Sequence, residues 1–239
     1  MNINTSPIEL TTSVTDAVLA IECTLIIAWL WRPQINDRSR ARLWCWVFGV
    51  LAFSSLLGTI AHGFELSEAT RKVLWKPLYL CLGILVALFL VGAVYDWRGR
   101  AVAGRLVPWA IGLGAAFFAL TQLGSGAFRV FAYYEAGALI CALAIYVFLA
   151  ATRRLRGAAV IAAAIVLNLA AAGVQQSHVS ATLVFSLDHN GIFHLVQMVG
   201  AVTLGLGVRL GLRCGAAPLR GEPLPKIPAQ VQAAGSRFH

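Results

Sequence analysis

The chain has 239 residues, of which 59% are hydrophobic and only 12% charged, with a mean hydropathy of +0.77. That balance excludes an ordinary soluble domain, because too little polar surface remains to cover so much apolar area. The net charge of +9 does not point to nucleic acid: the basic residues fall in short stretches between apolar runs, where membrane topology accounts for them.

Apolar runs occur in order at about 12–31, 42–63, 73–95, 106–123, 130–151, 157–176 and 187–208. A membrane-crossing helix needs roughly 20 apolar residues, so the pattern predicts an all-α polytopic bundle of seven transmembrane helices over 1–213. The tail 214–239 holds four of the eight prolines and no apolar period; it is expected to be a disordered cytoplasmic segment. No cleavable signal peptide is evident in the first residues. The five cysteines are scattered singly, which argues for packing roles rather than a disulfide framework.

Orientation follows from counting charge. Fifteen of nineteen basic residues, including Arg38, Arg40, Arg42, Arg98, Arg153 and Arg209, lie in the first, third and fifth connections and the tail, with three acids. The other side and the helix interiors hold four basic and seven acidic residues. The positive-inside rule therefore places the amino terminus outside and the carboxyl terminus in the cytoplasm, in a bacterial inner membrane. Trp31, Trp44, Trp46, Trp75, Trp97 and Trp109 fall near the ends of runs and read as an interfacial belt. The seventh run contains no lysine for a retinal Schiff base.

Polar residues within the runs cost on the order of 2.5–3.5 kcal/mol each when charged. They are Asp16 and Glu22 in the first run, Ser54, Ser55, Thr59 and His62 in the second, and Lys76 in the third. Gln122 ends the fourth, Tyr134 and Glu135 open the fifth, and Asn168, Gln175 and Gln176 lie in the sixth. Asp188, His189, Asn190, His194 and Gln197 open the seventh. Nearly all belong to the starts of odd runs or the ends of even ones, so they share one half of the bilayer and predict a single polar chamber. Ser55 and His62, seven apart, face one side of a helix, as do Asn190, His194 and Gln197. His189 and His194 are five apart, about 140° around an ideal helix, and converge only through a bulge or if His189 precedes regular helix. His178 lies in the connection before the seventh run and reads as solvated.

Seven spans, an outside amino terminus, Ser and His on the second helix and a His pair opening the seventh resemble the alkaline ceramidases and the progestin and adiponectin receptors. These are seven-helix, zinc-dependent membrane hydrolases. The resemblance implies zinc held by His62, His189 and His194, with Ser55 as the nearby hydroxyl and Glu22 as the first-helix acid. It also implies cleavage of an amide or ester bond of a lipid that enters sideways from the membrane. Glu22, Glu135 and Asp188 are the candidate general bases. The sequence departs from the family pattern in three places. Asn190 rather than histidine stands four before His194, Gly58 rather than serine stands four before His62, and Lys76 lies where the family has an acid.

Three further functions fit the same residues. His62 and His194 could ligate a haem or a copper ion between facing helices. Glu22, Glu135 and His194 could serve a proton-coupled carrier or sensor, and the polar groups could be structural in a non-catalytic subunit of a larger membrane complex.

Overall fold

The computed structural model describes residues 2–32, 36–123, 127–177, 179–182 and 186–213; the tail expectation for 214–239, and His178, lie outside them. The helices are α1 (Pro7–Leu30), α2 (Arg38–Gly63), α3 (Glu68–Arg98), α4 (Arg100–Thr121), α5 (Ala127–Ala151), α6 (Ala158–Gln175) and α7 (His189–Arg213). Two two-residue antiparallel pairs close the connections at one end: β1 (Asn2–Ile3) with β2 (Phe64–Glu65), and β3 (Ala181–Thr182) with β4 (Ser186–Leu187). All seven helices contain a segment long and apolar enough to cross a membrane, so the chain is a multi-pass membrane protein.

Helix starts are set by caps outside the apolar runs, so several helices begin earlier than hydropathy indicates. Ser6 accepts from Glu9 N and is followed by Pro7, Asp37 accepts from Arg40 N, and Ser67 accepts from Thr70 N. Gly99, at φ +84°, turns α3 directly into α4.

Helix neighbours define a ring: α1 packs on α2, α2 on α3, α3 on α5, α5 on α6, α6 on α7 and α7 back on α1. Helix α4 sits outside this ring against α3. Their crossing is close because both contact positions are glycine: a Cβ on Gly83 would meet the Gly114 carbonyl oxygen at 2.8 Å. The outward faces are apolar. On α1, Val14, Val18, Ile21 and Leu25 are exposed, whereas Asp16, Leu19, Cys23 and Ile26 are buried. An exposed aliphatic stripe of this length suits lipid rather than water.

The core, including Trp44, Phe48, Tyr146, Ile161 and Val208, fills the ring's other half. Trp44 is wholly buried and meets Phe89 edge-on, so it belongs to the core and not to the interfacial belt. The neighbouring residue Trp46, on another face of α2, is 63% exposed.

A polar knot closes the same half. Arg40 Nε and Nη2 donate to the two carboxylate oxygens of Asp96, at 2.5 and 2.8 Å, and Arg40 Nη1 donates to the Val208 carbonyl. Tyr146 donates to Asp96, and Tyr95 donates to Asp37. Arg209 donates to the Trp29 carbonyl. Arg40 and Arg209 were counted as loop charges from sequence; they are buried at the end of the bundle. The knot joins α2, α3, α5 and α7 with bidentate geometry.

Removing one member leaves the other buried without its counter-charge. Asp96→Ala is expected to lose about 3–5 kcal/mol of stability, and the double variant Arg40→Met/Asp96→Leu to lose much less. Unfolding in detergent micelles, followed by circular dichroism, checks both.

Candidate functional site

The half of the ring opposite the knot encloses a cavity of about 390 Å³. Every ring helix lines it and α4 does not: Asp16 comes from α1, Ser55 and His62 from α2, Trp75 and Tyr79 from α3. Glu135 comes from α5, Gln175 from α6, and His189, His194 and Gln197 from α7. The chamber expected from residue positions thus exists at the starts of odd helices and the ends of even ones. Gln122, at the end of α4, stands outside the ring and donates to its neighbour Thr121. Lys76 is exposed and is not part of the lining.

The centre of the site is a contact that residue listing alone did not single out. Asp16 is buried and its Oδ1 lies 3.5 Å from His194 Nε2. On the other edge of the ring, Thr15 Oγ1 lies 2.9 Å from His194 Nδ1. The Thr15 hydroxyl proton is given to the Thr12 carbonyl, at 2.8 Å. Its oxygen is therefore the acceptor, and Nδ1 carries a proton. That fixes Nε2 as the nitrogen facing Asp16 and the cavity. Nε2 and the Asp16 carboxyl group then face each other at 3.5 Å beside the cavity.

Gly58 explains how a carboxylate from α1 reaches this point. A Cβ at Gly58 would overlap the Asp16 carboxyl group. The Asp16 carboxylate fills the space that a side chain at position 58 would take.

His62 repeats the arrangement. Its Nδ1 is 2.7 Å from Glu9 Oε2, and its ring meets Trp75 edge-on at 6.0 Å. Pairing of one ring nitrogen with a carboxylate leaves Nε2 as the free one. Asn4, in the segment after β1, donates to the His62 carbonyl and holds this helix end. Glu9 lies before the first apolar run, which is why hydropathy did not connect it with the site.

The remaining expected residues divide. Ser55 is buried and lines the cavity, and its hydroxyl makes no hydrogen bond among the described residues, whereas the Ser54 hydroxyl donates back to Val50. His189 is the first residue of α7, so it and His194 both line the cavity despite their five-residue spacing. Asp188 is not in the lining: its Oδ1 accepts from Asn190 N and Gly191 N and caps α7. Glu22 is not in the lining either. The Thr15–His194 contact and the approach of Ile26 to Gly205 set α1 and α7 parallel with a constant offset. Glu22 then lies level with Ala201, about 10 Å below His194, with its Oε1 buried and without a hydrogen-bond partner.

Among the described residues no three His, Cys, Asp or Glu side chains are placed to hold one metal ion. Asp16 Oδ1 and His194 Nε2 stand near the ligand-to-ligand distance of a zinc tetrahedron, about 3.3 Å. The donor set is one group short of the usual three.

Nitrogen-15 NMR of histidine-labelled protein checks the tautomer. His194 is expected as the neutral Nδ1–H form, and Thr15→Val is expected to shift it toward Nε2–H; an Nε2–H signal in wild type would overturn the assignment.

Residues 11–213 match a family described as a family of unknown function (DUF6962). Neither a curated protein nor a solved structure matches the chain. Because the match takes in the whole bundle from the first turns of α1 to the last residue of α7, the chain belongs to this family.

Proposed function

We propose that this protein is a membrane-embedded hydrolase that cleaves an amide or ester bond of a lipid within the chamber. The observation that carries the reading is the Asp16–His194 contact, oriented by Thr15 and open to a cavity whose lining includes apolar side chains. Such a pair accepts a proton from a nucleophile and returns it to a leaving group. Water in the chamber attacks the carbonyl carbon while its proton passes to the pair. The carbon–nitrogen or carbon–oxygen bond then breaks, and the same proton goes to the departing nitrogen or oxygen. The products are an acid and an amine or alcohol. Ser55, with its hydroxyl uncommitted, donates to the carbonyl oxygen as negative charge develops there. Leu51, Leu78, Leu82 and Leu85, which line the cavity, receive the apolar part of a substrate arriving from the lipid.

The charge asymmetry supports a topology in which the chamber faces outward and the Arg40–Asp96 knot faces the cytoplasm. A helical bundle in place of a barrel supports the bacterial inner membrane. A proton-coupled carrier is the second reading. It is favoured by one observation: a second cavity of about 60 Å³ continues from the chamber and shares Glu135 and Gln197 with it.

Purified protein in nanodiscs, incubated with a panel of N-acyl and O-acyl amphiphiles, tests the hydrolase by mass-spectrometric detection of released acid. His194→Ala and Asp16→Asn are each expected to lower kcat/KM by about 100-fold or more. Glu68→Gln, at an exposed pair with Lys72, is expected to leave it unchanged. Absence of product from every amphiphile, or full activity in both site variants, sinks the reading. Elemental analysis of the same samples decides whether zinc, which the resemblance implies, accompanies the protein and is lost with His194→Ala.

A further inference from the structure

The chamber's lining holds acids but no permanent cation. Its lining contains two carboxylates, Asp16 and Glu135, and no lysine or arginine among the described residues. Asp16 is matched within its pair with His194. Glu135 is different: it lines both the chamber and the smaller cavity beneath, and it makes no hydrogen bond or ion pair among the described residues. Its position is shared by Gln197, which also lines both cavities, three residues below His194 on α7. Gln197 lies about 4.5 Å deeper along α7 than His194, and Glu135 lines the same two cavities.

An ionisable group at this depth is costly unless something compensates it, and intramembrane carboxylates of this kind face a pathway or a bound group. The histidines do not supply the compensation. His62 is paired with Glu9, His194 with Asp16 and Thr15, and His189 approaches Asp188 at 3.9 Å. The chamber that Glu135 lines also carries aromatic side chains on α3 and α5. Trp75 and Tyr79 stand with ring centroids 5.7 Å apart, and Phe131, one turn before Glu135 on α5, lines the same space. Aromatic faces attract cations through their quadrupoles and cost an ammonium less on desolvation than aliphatic walls.

We infer that the chamber binds a ligand carrying an organic ammonium group, held by the Glu135 carboxylate and the Gln197 amide in the cavity that Phe131, Tyr79 and Trp75 also line. This rests on the chamber of the proposed hydrolase and narrows its substrates to amphiphiles that bear an amine close to the scissile bond. An acid product, being anionic, is repelled from the same position, whereas an ammonium is retained.

The test uses the full chain in nanodiscs, with octylammonium as the probe and octanol, octanoate and sodium chloride as comparators. Empty nanodiscs correct for partition into lipid. Calorimetric titration is expected to give saturable binding of octylammonium, weakened about tenfold or more by Glu135→Gln, with octanol and octanoate binding no more tightly than that variant binds octylammonium. Trp75→Leu is expected to weaken it to a smaller extent, and Trp75 emission should respond to the probe in wild type. His194→Ala separates this inference from the hydrolase reading: octylammonium binding is expected to survive in that variant even though hydrolysis is lost. Retention of tight octylammonium binding in a folded Glu135→Gln protein overturns the proposal. So does equal affinity for octanol, or displacement of octylammonium by sodium at matched ionic strength, which would make Glu135 an inorganic-cation site.

Discussion

The arrangement depends on one buried ion pair. Arg40 and Asp96 meet with bidentate geometry at one end of the ring, and Tyr146 and the Val208 carbonyl complete their hydrogen bonds. With that end drawn together, the aromatic and aliphatic core of α2, α3, α5, α6 and α7 packs densely above it. The other end opens around the cavity. A membrane offers no water to satisfy polar groups, so each must find a partner inside the protein or face a wet space. The knot takes the first course and the chamber the second.

The same constraint organises the chamber. Two of its histidines are oriented by partners on α1. Thr15 holds His194 and Glu9 holds His62, while Asp188, outside the lining, caps α7. Orientation of one histidine nitrogen by a neighbouring acceptor is the usual preparation for a second nitrogen that transfers a proton or binds a ligand. The ring closure of α1 against α7 brings Thr15 and Asp16 to His194, although 178 positions separate Asp16 from His194 in the chain. Helix α4, left outside the ring, contributes nothing to the site.

Seven spans, their order and the gathering of polar groups at one end were legible from hydropathy and position, because the bilayer sets helix length and penalises every misplaced charge. His62, His194, Ser55 and Glu135 were legible as chamber residues for the same reason. Asp188 was misleading as a candidate base, since an aspartate just before a helix serves equally as its cap. Trp44 was misleading as a belt residue, since a residue near the end of a run can face inward as readily as outward.

What the sequence by itself determined is therefore the solvent, the number of crossings and the level of each polar residue along the membrane normal. Those depend on composition and on a fixed rise per residue. Only the tertiary structure decided which polar residues meet. Rotation about each helix axis, the exclusion of α4 from the ring, and the space left by Gly58 brought Asp16 to His194. The same packing left Glu22 about 10 Å below that pair. Contacts between helices are set by how whole surfaces fit together, and no local stretch of sequence encodes that fit.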